Sequence, residues 1–251
     1  MSRVVALPTR RDEAWRYSDL ETAARAWPVD EPQRIVVPAG ETLDLALLQD
    51  DATGAAIIRD HRIEIGAGGT LNAHLLNIGG VLGRVTFDVS LAQGAHFELK
   101  AALIGGDAQT IELVTTVRHA EPDATSAQTV RAIAAGRATT SYLGQIRVAR
   151  GAQKTDAAQS FKAMLLDRTA TANAKPELEI FADDVKCAHG ASVGELDKAA
   201  LFYMASRGLD PASARALMLQ AFIAGLFDDM ADEAERERFD AIALAKLEAL
   251  A

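Results

Sequence analysis

Polar and apolar residues alternate one by one along much of the chain between residues 33 and 185. In residues 84–91, with the sequence RVTFDVSL, every second residue is apolar, and residues 96–101 (HFELKA) and 177–180 (ELEI) repeat the pattern. Successive side chains of a β-strand point to opposite faces, so this period indicates strands with one buried and one solvated face. No helix-period segment separates these strands, which excludes a doubly wound sheet of alternating strands and helices.

Turns of small and polar residues recur between the predicted strands. Their last residues are 27, 29, 14 and 15 positions apart, which is one or two units of a common length of about 14 residues. Such a repeat predicts a solenoid, in which each rung buries its inner face by stacking on its neighbours. A β-sandwich with irregular strands would give the same alternation, so both architectures stay open at this point. The turns are residues 66–70, 93–97, 122–126, 136–140 and 151–155.

The two ends of the chain have helical patterns. Residues 12–26 predict a short N-terminal helix, and residues 195–207 predict an amphipathic helix that Gly208 ends in a left-handed conformation. Asp210 and Pro211 have the residue types of an N-cap and a first helical position, so a second helix runs to about residue 227. A third helix is predicted over residues 231–250. These helices either cap one end of the β-region or offer a docking surface to a partner.

Composition excludes several classes of function. The chain has 251 residues, of which 49% are apolar and 5% aromatic, so it can build a sizeable core mainly from aliphatic side chains. A net charge of −9 without a basic cluster argues against binding to nucleic acid or to an anionic membrane surface. No apolar run reaches the roughly 20 residues of a membrane span, and we expect no signal peptide. The single cysteine, Cys187, allows no internal disulfide and suggests a cytoplasmic protein.

Common catalytic motifs are missing, but one short segment combines two metal-binding residue types. The chain has no phosphate-binding loop of the Walker type, no nucleophile elbow and no zinc-protease helix motif. Cys187 lies two residues before His189, so in an extended segment both side chains point to the same side. A thiolate and a neutral imidazole bind iron or zinc, yet two ligands do not complete a tetrahedral site. Spacing alone also allows a reactive thiol activated by His189, and it favours a structural pair of a buried cysteine and a hydrogen-bonded histidine at a strand end.

Two longer segments resemble one protein family. Residues 179–197 (EIFADDVKCAHGASVGELD) and 200–209 (ALFYMASRGL) closely resemble the signature of the SufB/SufD family, and residues 11–20 (RDEAWRYSDL) are similar to its N-terminal motif. The resemblance implies a right-handed parallel β-helix followed by a C-terminal helical domain. Because the chain has one cysteine, the resemblance favours a SufD-type member. Many such chains carry a longer helical domain before residue 11, so the N-terminal region would be shortened here.

The resemblance also implies a function. A SufD-type chain is a non-catalytic scaffold that pairs with a SufB-type subunit through its β-helix and docks a SufC-type ATPase through its C-terminal helices. Together they assemble iron–sulfur clusters. His189, with Cys187 beside it, would then lie at the interface with the SufB-type subunit and supply part of a transient site for a cluster or iron. This chain alone would hold neither tightly, and without partners it could form a homodimer.

These inferences give one expected organisation and two competing functions. We expect a short N-terminal helical segment over residues 1–32, a parallel β-helix over residues 33–190 and a helical domain over residues 191–251. The main alternative is a stand-alone β-helix enzyme that acts on polysaccharides along an exposed groove. A second alternative is a structural β-helix that polymerises. A polysaccharide-acting enzyme has no reason to place a cysteine and a histidine at the junction between strands and helices, nor to carry an apolar helical tail.

Overall fold

Twelve parallel β-strands form two six-stranded sheets in the computed structural model, which describes residues 6–52 and 54–250. Odd-numbered strands form sheet A in the order β1-β3-β5-β7-β9-β11, and even-numbered strands form sheet B in the order β12-β10-β8-β6-β4-β2. The chain therefore passes from one sheet to the other at every turn, as in a β-helix. The strands are β1 (Gln33–Val37), β2 (Thr42–Gln49), β3 (Ala56–Ile65), β4 (Thr70–Asn77), β5 (Leu82–Leu91), β6 (His96–Gly105), β7 (Thr110–His119), β8 (Thr125–Ala134), β9 (Thr139–Val148), β10 (Asp156–Leu165), β11 (Thr171–Ile180) and β12 (Lys186–Glu195).

The register explains the repeat seen in the sequence. Thr42 pairs with Thr70, and Thr70 pairs with His96, so these rungs of sheet B are 28 and 26 residues long. The following rungs, which start at His96, Thr125 and Asp156, are 29, 31 and 30 residues long. The predicted unit of about 14 residues is thus one strand and its turn, and two units make one rung. The prediction of a parallel β-helix is confirmed, and the alternative of a β-sandwich is wrong.

A stacked turn precedes each of the first five strands of sheet B. The residue two positions before each strand has a positive φ, which glycine adopts without steric cost. The first three turns use glycine there, whereas the last two use other residues and accept a less favourable backbone conformation. These residues are Gly40 (φ 72°), Gly68 (65°), Gly94 (65°), Asp123 (63°) and Lys154 (60°).

The main hydrophobic core fills the space between the two sheets, which we call the lumen. Inward-facing Val85 and Phe87 of sheet A meet Phe97 and Leu99 of sheet B, and all four are almost completely buried. In the central strands β4 to β8, alternate residues contribute to this core, as the alternation predicts. Side chains of both sheets thus stabilise each other, which no single rung could achieve alone.

Three C-terminal helices follow β12: α2 (Lys198–Ser206), α3 (Pro211–Ile223) and α4 (Glu233–Leu250). Leu219 and Phe239 of these helices pack on Leu76, Ile104 and neighbouring residues of sheet B, so α3 and α4 cover the outer face of that sheet. Asp197 and Asp210 cap α2 and α3 through their side chains, and Pro211 occupies the first turn of α3 as predicted. The first of these C-terminal helices, α2, begins at residue 198 rather than at the predicted residue 195, because β12 continues to Glu195.

The N-terminal motif lies against the outer face of sheet A. Instead of one helix over residues 12–26, the chain forms a 3₁₀ turn (Glu13–Trp15) and a short helix α1 (Leu20–Arg25), which begins where the side chain of Asp19 accepts a hydrogen bond from the Thr22 amide. The 3₁₀ turn and the residues before α1 lie over a buried ion pair that joins two adjacent strands of sheet A. Arg84 donates to Glu112 Oε2 at 2.7 Å, and both side chains are nearly inaccessible.

The buried arginine ties the N-terminal motif to the β-helix. Its guanidinium lies 3.9 Å from the ring centroid of Trp15 and also donates to the Ala14 carbonyl at 2.8 Å. Ser18 donates to Glu112 Oε2 at 2.5 Å, so the same carboxylate oxygen receives hydrogen bonds from Arg84 and Ser18. A charge that is taken out of water needs such compensation, and losing one partner leaves the other uncompensated. Trp15 and Ser18 of the motif therefore have a structural role.

We predict that Arg84→Met lowers the free energy of unfolding by about 3–5 kcal/mol, since it leaves the Glu112 carboxylate buried without its cation. Urea denaturation followed by circular dichroism measures the change. Arg34→Met is the matched control, because the Arg34–Glu64 pair has a similar distance of 2.8 Å but lies in solvent. The control should cost less than about 1 kcal/mol. Equal losses in the two variants would contradict this role of Arg84.

Candidate functional site

The candidate residues lie on β12, the last strand of sheet B. Among the strands that the structure describes, β12 pairs only with β10, so its second edge has no neighbour. Nearly all of its residues are exposed. A free strand edge presents unpaired backbone amides and carbonyls, and it is therefore a ready template for pairing with another chain. The last strand of sheet A, β11, likewise pairs only with β9, so the final rung is open on both sides.

Cys187 is half-buried at the start of β12. It packs against a small apolar cluster that includes Val148, Ala157 and Leu178. Burial raises the pKa of the Cys187 thiol above its ordinary value, and the carboxylate of Asp156 raises it further, whereas a backbone hydrogen bond at Ala157 acts in the opposite direction. The protonated thiol is thus favoured in the free chain. This argues against the alternative that His189 activates Cys187 as a nucleophile.

His189 is exposed two residues further along the same strand. Its extended backbone places its side chain on the same face as that of Cys187, as the sequence predicts. No residue in the described part of the chain forms a hydrogen bond or an ion pair with this imidazole. The ring nitrogens are therefore available to a ligand or to a partner.

A thiol and an imidazole give the final rung a donor set that suits iron. Within residues 6–52 and 54–250, no group of three or more histidine, cysteine or acidic side chains is placed to hold a metal ion. The two residues can thus contribute part of a site whose remaining ligands come from elsewhere. Their position at an open edge fits a site shared between two chains.

Sequence reasoning missed a group of polar residues inside the lumen next to this site. The Tyr142 hydroxyl lies 3.0 Å from Gln159 Oε1, 3.2 Å from Gln128 Oε1 and 3.4 Å from Thr115 Oγ1, and all four side chains are buried. We call these four residues the lumen polar cluster. The sequence of β10 contains one sign of this cluster. Gln159 lies on the inward face of the strand, where the alternate residues Ala157, Phe161 and Ala163 are apolar.

Several large apolar side chains of the helices remain uncovered. Phe202 on α2 is 77% exposed and Leu217 on α3 is 51% exposed, and Tyr203 and Leu209 are exposed too. We call these four residues the α2–α3 apolar surface. Exposed apolar groups of this size on a helical segment are typical of a protein-binding surface.

Residues 25–222 match the core domain of the SufBD proteins of the SUF system for FeS cluster assembly. This span contains all twelve strands and the segment with Cys187 and His189. The chain belongs to the SufBD family. The predicted resemblance is confirmed, and the alternative of a polysaccharide-acting enzyme is not favoured.

Curated relatives are named as iron–sulfur cluster assembly proteins in most cases. The chain is 36% identical over 124 residues to the iron–sulfur cluster assembly protein SufD of Escherichia coli, covering 49% of this chain and 29% of that protein. It is 28% identical over 185 residues to SufD of Bacillus subtilis, covering 74% of this chain and 41% of the relative. It is also 33% identical over 192 residues to the chloroplastic protein ABCI7 of Arabidopsis thaliana, covering 75% and 40%.

The matched segments make up less than half of each of these relatives. Family membership therefore establishes a link to iron–sulfur cluster assembly, and the finer roles of this chain need their own argument. Among the helices of the described residues, none is long and apolar enough to cross a membrane.

We predict that alkylation of Cys187 by iodoacetamide reaches half of its maximal rate at a pH above that of a free cysteine, because burial and Asp156 raise the thiol pKa. Asp156→Asn removes one carboxylate and should lower this pKa. Asp44→Asn, at the opposite end of sheet B, is the control and should leave the rate profile unchanged. A profile at or below that of free cysteine would show that the thiol is activated.

Proposed function

We propose that this chain is a SufD-type scaffold subunit that acts without catalytic activity of its own in iron–sulfur cluster assembly. The observation that carries the proposal is the open final rung, on which the only thiol of the chain and an imidazole without a hydrogen-bond partner among the described residues share one face. The sequence contains no phosphate-binding loop, which supports a subunit that relies on a separate ATPase. The expected cytoplasmic location stays a prediction.

The free edges of β11 and β12 support pairing with a SufB-type subunit. Strand addition would satisfy the unpaired backbone groups and cover side chains of the last rung that are now exposed. Iron or a nascent cluster, as cargo, would then bind between the chains, with His189 and Cys187 supplying two ligands and the partner the others. Because burial and Asp156 raise the pKa of the Cys187 thiol, metal binding at this residue would be coupled to the release of a proton. In the absence of the partner, the same edges could pair with a second copy.

The α2–α3 apolar surface supports docking of a SufC-type ATPase. The apolar residues of α3 and α4 that face sheet B are already used in the core, so Phe202 and Leu217 are left for a partner. Because α3 and α4 cover buried apolar residues of sheet B, deletion of the helices would expose that sheet. Point substitutions on the α2–α3 apolar surface therefore test docking without disturbing the β-helix.

We predict that His189→Ala reduces the yield of clusters on the reconstituted complex with SufB-type and SufC-type subunits by about tenfold or more, since a ligand is lost. Anaerobic reconstitution followed by visible absorption measures the yield. His96→Ala is the matched control, because His96 also lies on a strand of sheet B but away from the open edge. Its imidazole forms a hydrogen bond with the Thr125 hydroxyl at 2.7 Å. A normal yield from His189→Ala, with the complex assembled, would reject the proposed role.

We predict that the double substitution Phe202→Ser and Leu217→Ser weakens binding of the SufC-type ATPase more than about tenfold, because each exposed apolar anchor contributes on the order of 2 kcal/mol to such an interface. Isothermal titration calorimetry measures the affinity. Val36→Ser, which replaces an exposed apolar residue on β1, should leave the affinity unchanged. Equal affinity of the double variant and the parent chain would place the ATPase elsewhere.

A further inference from the structure

A column of polar side chains runs through three strands of sheet B to the open edge. Gln128 on β8 pairs in register with Gln159 on β10, and Gln159 pairs with His189 on β12. Side chains at paired positions of parallel strands share a face, and neighbouring strands lie about 4.8 Å apart. Both glutamines point into the lumen, where they meet Tyr142 of the opposite sheet. His189 therefore projects from the lumen face, one strand spacing beyond Gln159.

The amide of Gln159 is held in one orientation. Its Oε1 accepts a hydrogen bond from the Tyr142 hydroxyl at 3.0 Å, and its Nε2 donates to the Glu177 carbonyl of β11 at 3.1 Å. The Tyr142 ring is fixed in turn by stacking on Phe161, with ring centroids 5.6 Å apart. A side chain that is only 3% exposed and bonded at both ends is rigid enough to orient a neighbour.

Gly144 provides the space in which this hydrogen bond forms. A Cβ at that position would lie 2.2 Å from Gln159 Oε1 and 2.3 Å from the Tyr142 hydroxyl, so these two side chains would have to shift from their present positions. The φ of Gly144 is not positive, so its backbone conformation does not require glycine. The missing side chain is what the contact needs. The lumen polar cluster is thus a built feature beside the open rung.

Gln159 has an acceptor left for His189. An amide oxygen has two lone pairs, and Tyr142 uses one of them. A histidine that binds metal through one ring nitrogen donates the N–H of its other nitrogen to a carbonyl or carboxylate, which fixes the tautomer and the ring orientation. No hydrogen bond joins the two residues in the free chain, where the imidazole is exposed to water. A partner that covers the final rung would exclude this competing water.

We propose that Gln159 is a positioning residue for His189 in the assembled complex. Its side-chain oxygen accepts the N–H of the ring nitrogen nearer the lumen, so that the other ring nitrogen keeps its lone pair for iron. Tyr142 and Gly144 hold Gln159 in place for this task. The inference rests on the proposed function, since it assumes that His189 is a metal ligand at an interface that a partner covers.

The test uses Co²⁺ as a spectroscopic probe of the site in the complex with the SufB-type subunit. Titration of the thiolate-to-cobalt absorption gives the affinity for the original chain and for the Gln159→Met variant. Methionine keeps the length and volume of the side chain but cannot accept the imidazole N–H. We expect Gln159→Met to weaken Co²⁺ binding about 10–100-fold. Tyr142→Phe, which keeps the stacked ring, should weaken binding about fivefold through the loss of one hydrogen bond.

Gln49→Met is the matched control for a purely structural effect. Gln49 is a buried glutamine at the opposite end of sheet B, and its Nε2 donates to Asn77 Oδ1 at 3.1 Å. The Gln49→Met variant should lose about as much thermal stability as Gln159→Met, while its Co²⁺ affinity should stay unchanged. Equal weakening of Co²⁺ binding in Gln49→Met and Gln159→Met would overturn the inference.

His189→Ala separates failure of this inference from failure of the proposed function. If His189→Ala weakens Co²⁺ binding but Gln159→Met and Tyr142→Phe bind as the original chain does, the positioning role is wrong and the metal role of His189 stands. If His189→Ala binds Co²⁺ as tightly as the original chain, both are overturned. If Gln159→Met does not fold, Tyr142→Phe decides, because it removes one hydroxyl from a ring that stays stacked on Phe161.

Discussion

The structure depends on one constraint, which is the in-register stacking of parallel rungs. Each rung buries its inner face only against its neighbours, so every strand except those at the ends is paired on both edges. The first and last rungs must leave edges open, and here the last rung carries Cys187 and His189. A free edge is a liability that proteins usually protect with charges, proline or a covering segment. On β12, small residues such as Gly190 and Gly194 leave the edge accessible, which favours its use in pairing.

The outer faces of the two sheets are closed by different means. Sheet B is covered by α3 and α4 through apolar contacts, whereas sheet A is met by the N-terminal motif through the buried Arg84–Glu112 pair. Apolar packing tolerates substitution better than a buried ion pair, in which each charge needs its partner. The composition of the N-terminal motif reflects this difference, since the Trp15 ring lies over the guanidinium and Ser18 donates a hydrogen bond to the carboxylate.

Much of the fold could be predicted from the sequence because period-2 alternation reports directly which side of a strand is buried. The helix boundaries at Asp210 and Pro211 were also predictable, since capping is a local interaction. The alternation could not distinguish a β-helix from a sandwich, because it reports which face of a strand is buried and not which strand, 26–32 positions away, pairs with it. The Arg84–Glu112 ion pair could not be predicted either, because it joins residues that are distant in sequence. The start of α2 at Lys198 depends on how far β12 extends, which the local sequence does not show.

Cys187 and His189 could be predicted as a pair, whereas the lumen polar cluster could not. Spacing placed both residues on one face, but Tyr142, Gln128 and Gln159 come from three strands that only the register brings together. Burying these groups is costly unless they are hydrogen-bonded, and Gln128 Nε2 still has no partner among the described residues. Most other inward positions of the lumen, such as Phe87 and Phe97, carry apolar side chains that need no such partner. Polar side chains are also buried at the opposite end of sheet B, where Gln49 donates to Asn77, so burial alone does not set the lumen polar cluster apart. What sets it apart is that Gln159 lies in register with His189 on the open strand, which gives the cluster a residue to orient.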